Sequence, residues 1–457
     1  MKGASATVID AIGGTPIVKL NKVAAHVKSD IYVKLEFLNP GGSMKDRVAL
    51  NIIRDAERRG LLGPGSTIIE ATSGNTGAGL ALVAAVRGYK CIFVMPDKMS
   101  TEKIAALRAF GAKVVICPTA VEPDDPRSYY EVTKRLVRET PNSFHSNQYY
   151  NPANPEAHYL STGPEIWEQT GGELDAFVAG MGTGGTISGA GKFFKEKKPG
   201  FQLIGVDPIG SLYYEYVKTG RMTKPFSYYV EGIGEDFLPG TMNLQILDQI
   251  MRVDDKECFL MTRELVRQEG IFCGGSCGAA VAGAIKYAEQ LGDQKKNILV
   301  LLPDSAQKYL SKIFDDEWMR SNGFLEEEDP LGTVRDLLAT KPRRPIVAAK
   351  RGDSLRSVIG LLKEHGISQL PVLENGRLAG LLSEIDLLNF LVKNPGGMEA
   401  PVENLVESDY ATVTAATNIR LLRNIFNDAK LVCVLDRDDL IGVITKIDLI
   451  EYLAGKR

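Results

Sequence analysis

The chain has 457 residues, of which 44% are hydrophobic and 24% are charged, a composition that is ordinary for a globular protein and excludes a fibrous or wholly disordered one. Lys and Arg total 54 against 57 Asp and Glu, so the formal net charge is −3. Because so weak a field does not hold a nucleic acid or a membrane surface by bulk electrostatics, we expect a small-molecule partner. The 46 glycines follow no G-X-Y repeat and predict several tight backbone loops.

The cysteines are spread along the chain without a C-x-x-C pair: Cys91, Cys117, Cys258, Cys273, Cys277 and Cys433. This pattern argues against a disulfide framework and indicates a reducing compartment. The N-terminal segment has no apolar signal core, and no apolar run reaches the roughly 18 residues of a membrane span. We therefore expect a cytoplasmic protein.

From about residue 30 to residue 305, short β-branched runs alternate with segments whose apolar residues recur every three or four positions. This alternation predicts an α/β core with mostly parallel sheets in two lobes. The predicted strands are IYVKLEF, TIIEA, CIFVMP, KVVICP, DAFVAG, QLIGVD and NILVLLP. The predicted helices are 46–59, 77–87, 101–110, 186–197 and 279–290.

The alternation stops after residue 315, where acidic residues, Gly and Pro accumulate. This composition predicts a catalytic core at 1–316 and a surface linker at 317–332. Beyond the linker, LAGLLSEIDLLNFLV aligns with LIGVITKIDLIEYLA at an offset of 62 residues, from Gly380 to Gly442. We expect two copies of one unit, residues 333–395 and 396–457.

Three Gly-rich loops each follow a predicted strand and precede a helix: GGSMK (41–45), TSGNTG (72–77) and GTGGT (182–186). A fourth, GGSCG (274–278), lies just before the predicted helix at 279–290. Ligands of open α/β sheets bind at the carboxyl ends of strands. We therefore expect the four loops to line a cleft on one sheet.

The GTGGT loop places backbone N–H groups at a helix N-terminus, an arrangement that favours a phosphate. Residues 180–185 also fit G-x-G-x-x-G, and Asp207 follows at the distance of a dinucleotide fingerprint. Dinucleotide binding, however, gives no role to the upstream loops GGSMK (41–45) and TSGNTG (72–77).

Lys45 lies at the predicted start of a helix, where the dipole disfavours a cation and lowers the pKa of an amine. This setting suits Schiff-base chemistry, and a solvated structural lysine is the alternative. Ser43 and Asp46 are expected to form a capping box at this helix.

The loop at 72–77 suits a carboxylate or a phenolic oxygen, and a capped turn is its alternative.

Cys273 and Cys277 have no further cysteine or histidine nearby in the sequence, so no metal site is expected there. The histidines are scattered along the chain and are interpreted as structural or surface residues: His26, His145, His158 and His365.

The ordered set PGGSMKDR, TSGNTG, QYYNPANPEAH, GTGGT, EGIGEDF and CGGSCG, followed by the two repeats, resembles the cystathionine β-synthases over essentially the whole chain. Their core has the fold of the fold-type II pyridoxal-phosphate enzymes. Their tail is a pair of CBS domains, also called a Bateman module. The resemblance implies pyridoxal 5'-phosphate as the cofactor.

By this resemblance Lys45 carries the cofactor as a Schiff base and then acts as the general base at the substrate Cα. Asn75 bonds the phenolic oxygen of the cofactor, and Ser276 meets its pyridine nitrogen. The cofactor phosphate is bound by the GTGGT loop: Gly182, Thr183, Gly184, Gly185 and Thr186.

The resemblance also implies substrate residues. The carboxylate of L-serine is bound by the loop at 72–76 with one glutamine: Thr72, Ser73, Gly74, Asn75, Thr76 and Gln148. The pocket for L-homocysteine is bordered by Tyr149, Gly232, Ile233 and Gly234.

The expected reaction condenses L-serine with L-homocysteine to L-cystathionine, a step of transsulfuration, with hydrogen sulfide production as a side activity. The nearest alternative is a cysteine synthase that uses O-acetylserine and sulfide. Two further alternatives are a nucleotide sensor with an inactive core and the dinucleotide oxidoreductase.

The sequence departs from the animal cystathionine β-synthases at three places. PGGSMKDR begins at residue 40, so no haem is expected. Residues 198–201, KPGF, replace the C-x-x-C of those enzymes, so no redox switch is expected there. Glu235 follows the EGIG motif and is expected to alter how the second substrate is held.

Each repeat ends in Gly-x-x-Ser/Thr-x-x-Asp, with Ser383 and Asp386 in the first copy and Thr445 and Asp448 in the second. In CBS domains these side chains commonly meet an adenosyl ligand, so S-adenosylmethionine, AMP and ATP are candidate partners. The alternative is that they only form capping boxes. A homodimer is the smallest assembly that we expect, and a tetramer is open.

Overall fold

The computed structural model describes residues 3–97, 99–118, 121, 125–325, 331–341, 345–408, 410–436 and 439–455. The chain divides into two compact units, residues 1–326 and residues 327–457. None of the described helices combines the length and the apolar character that a membrane crossing requires.

The first unit is built from alternating strands and helices. Its strands are β1 (Ile17–Lys19), β2 (Asp30–Leu35), β3 (Thr67–Ala71), β4 (Lys90–Pro96), β5 (Lys113–Cys117), β6 (Ser143–His145), β7 (Ala176–Gly180), β8 (Gln202–Pro208), β9 (Gln249–Val253) and β10 (Asn297–Leu302). Its helices are α1 (Lys45–Arg58), α2 (Asn75–Arg87), α3 (Thr101–Ala109), α4 (Tyr129–Glu139), α5 (Ala153–Ala157), α6 (Gly163–Gln169), α7 (Gly185–Lys197), α8 (Tyr213–Thr219), α9 (Asp255–Glu269), α10 (Gly275–Gln290) and α11 (Asp316–Ser321).

The two predicted lobes correspond to two sheets. The larger sheet has the order β1-β2-β10-β7-β8-β9 and is parallel except for the pair of β1 with β2. The smaller sheet, β5-β4-β3-β6, is parallel throughout. Helices pack on these sheets, and the inner strands are almost fully buried, as expected for parallel strands. This confirms the predicted α/β class.

The predicted strands all form, but β1, β6 and β9 were not predicted. The first two have only three residues each, too few to show a period. The helix expected at 279–290 begins earlier, at Gly275, because its first turn is the Gly-rich loop itself.

The predicted linker at 317–332 is only partly described. Its first part continues α11, whose Met319 is buried in the core of the first unit together with Phe324. Residues 326–330 lie outside the described residues.

The second unit contains the sequence repeat. Its strands are β11 (Ala349–Lys350), β12 (Gln369–Glu374), β13 (Arg377–Ser383), β14 (Ala411–Thr414), β15 (Leu431–Asp436) and β16 (Asp439–Thr445). Its helices are α12 (Val334–Thr340), α13 (Leu355–His365), α14 (Glu384–Lys393), α15 (Ile419–Asp428) and α16 (Lys446–Ala454).

Both repeats form the same sheet, a parallel pair followed by an antiparallel hairpin. The register shifts after Val372 in one hairpin and after Val434 in the other, again 62 residues apart. The sequence repeat is therefore a repeat of structure.

A buried ion-pair network fixes α1 against the larger sheet. The Arg47 guanidinium donates to Glu36, with Nε at 2.8 Å from Oε2, and to Glu165, with Nη1 at 2.8 Å from Oε2. Lys34 on β2 donates to the same Glu165 at 2.5 Å. Arg47, Lys34 and Glu36 are buried, so each charge depends on the others for its solvation.

We predict that Arg47→Leu lowers the free energy of unfolding of the first unit by about 3–5 kcal/mol, because two carboxylates lose their buried cation. Arg58→Ala on the exposed face of the same helix removes only a surface pair with Asp55 and is expected to cost less than about 1 kcal/mol. Urea denaturation of both variants measures the difference. An equal loss of unfolding free energy in the two variants would contradict the assignment of Arg47 to a stabilising buried network.

Candidate active site

The four Gly-rich loops meet at the carboxyl end of β10. Ser43 pairs with Asp304 in an antiparallel bridge, and the Met44 N–H donates to the Pro303 carbonyl at 2.9 Å. The Gly274 N–H donates to the Asp304 carbonyl at 3.0 Å. The Thr186 hydroxyl of the GTGGT loop contacts Met44 Sδ at 3.3 Å.

The cleft is therefore formed as expected, but its loops do not belong to one sheet. The loop at 72–77 follows β3 of the smaller sheet, whereas the GTGGT loop follows β7 of the larger one. The GGSCG loop follows α9 rather than a long strand. The cleft lies between the two lobes because loops of both sheets contribute to it. The order of strands, loops and helices along the sequence does not reveal which strands share a sheet.

Asp304 is the buried acid at the centre of this convergence. Its Oδ2 accepts from Asn75 Nδ2 at 2.8 Å and from the Tyr309 hydroxyl at 2.6 Å. The sequence analysis missed this residue. The sequence feature that could have revealed it is an acid directly after the strand NILVLLP, at the edge where ligands of α/β sheets bind.

Lys45 is the first residue of α1, and its amine lies in this cleft. Burial lowers the pKa of Lys45 to about 8, although the negative charges of Glu235 and Asp304 raise it. Near neutral pH a much larger share of this amine is neutral than of an ordinary lysine with a pKa of about 10.4. A neutral amine is the form that attacks a carbonyl group, so Lys45 suits Schiff-base chemistry.

The capping box predicted for Ser43 and Asp46 was wrong. Met44 is the N-cap residue, and the Ser43 hydroxyl accepts from the Lys45 N–H at 3.3 Å. The Asp46 carboxylate instead reaches back across the loop and accepts from the Gly41 N–H at 2.5 Å. A Cβ atom on Gly41 would lie 2.4 Å from Asp46 Oδ1, so the loop requires glycine there.

The loop at 72–77 is shaped by its own threonines. The Thr72 hydroxyl accepts from the N–H groups of Gly74 and Gly77 at 3.0 and 3.2 Å. The Thr76 hydroxyl donates to Gln148 Oε1 at 2.6 Å. Ser73 is exposed. The structure thus brings Gln148 to the loop with which it was predicted to act.

Asn75 is held by hydrogen bonds on both sides of its amide. Lys308 Nζ donates to Asn75 Oδ1 at 2.6 Å, while Asn75 Nδ2 donates to Asp304. Lys308 also contacts the Gly41 and Gly42 carbonyls at 3.4 Å, so it links two of the loops. The sequence analysis did not single out Lys308.

The GTGGT loop forms a close backbone cradle at the N-terminus of α7. Gly184 has φ +84°, and a Cβ atom there would lie 2.6 Å from Met242 Cα. A Cβ on Gly185 would lie 1.9 Å from Asn154 Oδ1. Asn154 Nδ2 donates to the Thr183 hydroxyl at 3.0 Å. The first N–H groups of a helix have no partner within it, and this cradle directs them at an anion.

His158 supports this cradle. Its Nε2 lies 3.1 Å from the Thr186 hydroxyl, and its Nδ1 lies 2.9 Å from the Thr162 hydroxyl. Burial holds the pKa of His158 well below its usual range, so the ring is neutral. The residue is structural, as interpreted, but it contacts the loop predicted to bind phosphate.

Ser276 and the segment at 232–234 complete the cleft. Ser276 is buried in the first turn of α10. The Gly234 N–H donates to the Met181 carbonyl at 2.6 Å, and a Cβ on Gly182 would lie 2.8 Å from the Gly232 carbonyl oxygen. The segment that was predicted to border the second-substrate pocket therefore lies directly against the GTGGT loop.

The acid of the possible dinucleotide fingerprint has a structural partner. Asp207 is fully buried and accepts from the Tyr214 N–H at 2.8 Å at the start of α8. Burial raises the pKa of Asp207 to about 7. This buried contact accounts for Asp207 without a ribose.

The aspartates of the two tail motifs form capping boxes at α14 and α16. The Ser383 N–H donates to Asp386 at 2.8 Å, and the Thr445 N–H donates to Asp448 at 2.7 Å. Lys341 Nζ lies 2.8 Å from Asp448 Oδ2. The capping boxes that were the alternative to an adenosyl ligand are thus present in the structure. The two hydroxyl–carboxylate pairs lie at equivalent places in the two repeats.

Comparison with known proteins places the chain in a family. Residues 8–304 match the family described as pyridoxal-phosphate dependent enzyme, and residues 326–393 and 402–455 each match the CBS domain. Cystathionine β-synthase of Dictyostelium discoideum is 39% identical over 98% of this chain and 92% of its own length. The chain belongs to the cystathionine β-synthase family. It is therefore a pyridoxal-phosphate-dependent enzyme with a pair of CBS domains.

Two shorter members of the wider family match the first unit. Cysteine synthase of Staphylococcus aureus is 44% identical over 67% of this chain and 96% of its own length. The crystal structure of O-acetylserine dependent cystathionine β-synthase from Helicobacter pylori superposes with a TM-score of 0.63 at 40% identity and covers 68% of this chain and 98% of that one.

The residues present fit the cofactor of this family. A half-buried lysine of lowered pKa, a glycine cradle at a helix N-terminus and a buried hydroxyl at a second helix N-terminus lie on loops that meet at the carboxyl end of β10. The cradle is too tight for side chains at 184 and 185, which is expected where backbone donors must reach a phosphate.

Glu70 is a further residue that the sequence analysis missed. It lies on β3 and accepts from the Ser146 hydroxyl at 2.6 Å, from the Asn147 N–H at 2.7 Å and from the Gln148 N–H at 3.4 Å. Burial raises the pKa of Glu70 to about 7, and these donors lower it. Glu70 therefore fixes the segment that carries Gln148. The sequence feature that could have revealed Glu70 is a single acid inside the apolar run TIIEA.

We predict that Glu70→Ala raises KM for L-serine about tenfold with a smaller loss in kcat, because Gln148 loses its anchor. Glu70→Gln keeps one oxygen for Ser146 and Asn147 and is the matched control, expected to change KM less than threefold. Steady-state kinetics measure both. An unchanged KM in Glu70→Ala would exclude this positioning role.

Proposed function

We propose that the protein condenses L-serine with L-homocysteine to L-cystathionine by β-replacement. The observation that carries the proposal is the meeting of four loops around a lysine whose pKa is about 8, beside the joined side chains of Thr76 and Gln148. Pyridoxal phosphate, when bound, withdraws electrons from the Cα of the amino acid it carries and so allows the β-substituent to leave.

The residues of the chain supply binding and proton transfer. Lys45 is proposed to hold the cofactor and to move the Cα proton. The backbone and hydroxyl groups of residues 72–76, with Gln148, are proposed to bind the carboxylate of L-serine and so orient its hydroxyl to leave. Tyr149 and residues 232–234 are proposed to border the site of L-homocysteine.

Two groups are proposed to set the electronics of the cofactor. Asn75, whose amide is held by Lys308 and Asp304, is proposed to donate to its phenolic oxygen. Ser276 at the pyridine nitrogen is a neutral hydroxyl, which does not stabilise a protonated ring as an aspartate does. The cofactor is then a weaker electron sink, which favours β-elimination over transamination.

The second candidate is a cysteine synthase that uses O-acetylserine and sulfide. The similarity of the first unit to the Staphylococcus aureus cysteine synthase supports it, and the name of the Helicobacter pylori relative points to O-acetylserine in that protein. The paired CBS domains and the 98% coverage of the Dictyostelium relative favour the first candidate. Hydrogen sulfide release from cysteine is proposed as a side activity.

A competition experiment tests the two candidates. Purified full-length protein with pyridoxal phosphate is given L-serine or O-acetyl-L-serine, together with equal L-homocysteine and sulfide, and the products are quantified by mass spectrometry. We expect cystathionine from L-serine to exceed cysteine, and Lys45→Ala to form neither. Lys90→Ala, at an exposed lysine, is the control. An excess of cysteine would reverse the choice of function.

The absorption spectrum of the same sample tests three further expectations. We expect a cofactor band that changes on addition of L-serine and no Soret band, since haem is not expected in this protein.

A homodimer and a cytoplasmic location are proposed as well. The location rests on the six cysteines, all of which are buried and free.

We further propose that the CBS domains bind an adenosyl ligand such as S-adenosylmethionine, AMP or ATP. The hydroxyl–carboxylate pairs at the ends of the two repeats support this, because a carboxylate can accept from both ribose hydroxyls. Lys341 beside Asp448 adds a cation near the second pair.

We predict that Asp386→Asn and Asp448→Asn weaken the binding of whichever of these nucleotides binds the full-length protein, each by about tenfold. Asp336→Asn is the control, because Asp336 forms a capping box at α12 outside the motif. Isothermal titration measures the affinities. If none of the three nucleotides binds, the proposal fails; equal weakening by all three variants would assign the effect to lost helix caps.

A further inference from the structure

Glu235 follows the segment that lies against the GTGGT loop, and its backbone is fixed. Its N–H donates to the Ser211 hydroxyl at 3.1 Å, and its carbonyl accepts from the Leu212 N–H at 3.1 Å. The preceding Gly234 is bonded to Met181. The Glu235 side chain therefore extends from a rigid point at the rim of the cleft.

The carboxylate of Glu235 is near enough to the reactive lysine and to several tyrosines for its charge to act on them. Burial, together with the charge of Glu235, holds the pKa of Tyr149 well above its usual range. Its charge acts on Lys45 and on the phenols of Tyr129, Tyr130, Tyr213 and Tyr228.

The aromatic wall is continuous. The Phe237 ring lies 5.1 Å from the ring of Tyr149 and 6.4 Å from that of Tyr130. A carboxylate beside an aromatic wall is a chemical environment that attracts an ammonium group, through an ion pair and cation–π contacts. The same charge repels an anion.

The two nucleophiles of the candidate reactions differ in this respect. Homocysteine carries an α-ammonium group, whereas sulfide near neutral pH is a mixture of H₂S and the anion HS⁻ and carries no cation. The carboxylate of the first substrate already has proposed partners at residues 72–76 and Gln148. The ammonium group of a second amino acid has no proposed partner other than what Glu235 offers.

We propose that Glu235 binds the α-ammonium group of the incoming amino-acid thiol and thereby selects it over inorganic sulfide. The proposal rests on the proposed function and deepens it. Glu235 is a specificity-determining residue in this scheme.

The test compares two thiols that differ only in the group to be recognised, L-homocysteine and 4-sulfanylbutanoate, which lacks the amine. In the wild type we expect kcat/KM for homocysteine to exceed that for the analogue by about 100-fold. Glu235→Gln is expected to lower kcat/KM for homocysteine by about 10–100-fold, the range of one charged hydrogen bond, and to change that for the analogue less than threefold. Its kcat/KM for sulfide is expected to stay equal or to rise.

Asp236→Asn is the matched control, because it removes one negative charge at the next, exposed position. It is expected to leave the ratio between the two thiols within twofold of the wild type. Thermal unfolding of all three proteins reports on folding, and the spectral change with L-serine alone reports on the first half of the reaction, which Glu235→Gln is expected to preserve.

Two results would overturn the proposal. One is an equal loss with both thiols in Glu235→Gln, which would show that the carboxylate does not recognise the amine. The other is an equal effect of Asp236→Asn, which would show that only the overall charge matters. If the wild type shows no spectral change with L-serine, the proposed function fails and this inference fails with it.

Discussion

The buried carboxylate of Asp304 binds groups from separate parts of the chain at the point where β10 ends. It holds the amide of Asn75 and the hydroxyl of Tyr309, while its backbone bonds the loops that contain Ser43 and Gly274. Because a buried carboxylate is stable only with such donors, the loops and the acid fix one another. The position of Lys45, one residue beyond Met44, follows from this closure.

Exclusion of water from the cleft has opposite effects on its basic and acidic groups. Burial lowers the pKa of Lys45 to about 8 and keeps His158 neutral, whereas it raises the pKa of Glu70 to about 7. One physical cause thus supplies an amine of lowered pKa and a neutral support for the glycine cradle. Lys308 is a cation of the same cleft, and its amine donates to Asn75.

The two acids near Lys45 occupy different surroundings. Asp304 is fully buried, and its Oδ2 accepts from two side chains of distant segments, so its role is to hold the loops together. Glu235 is half-buried at the rim, and its charge raises the pKa of several tyrosines. A carboxylate in that setting is proposed to pair with a cation of a substrate.

The sequence alone determined the α/β class, the repeat in the second unit and the residues of the four loops, because strand and helix periods and glycine turns are local properties. Lys45, Asn75, Gln148 and Ser276 were predicted as site residues from motifs within single segments. Asp304, Lys308 and Glu70 were missed as site residues because their roles depend on partners 76 to 233 residues away. The assignment of the loops to two sheets, the failure of the capping box at Ser43 and the lowered pKa of Lys45 were decided by tertiary packing. Burial and hydrogen bonding between distant segments have no period in the sequence.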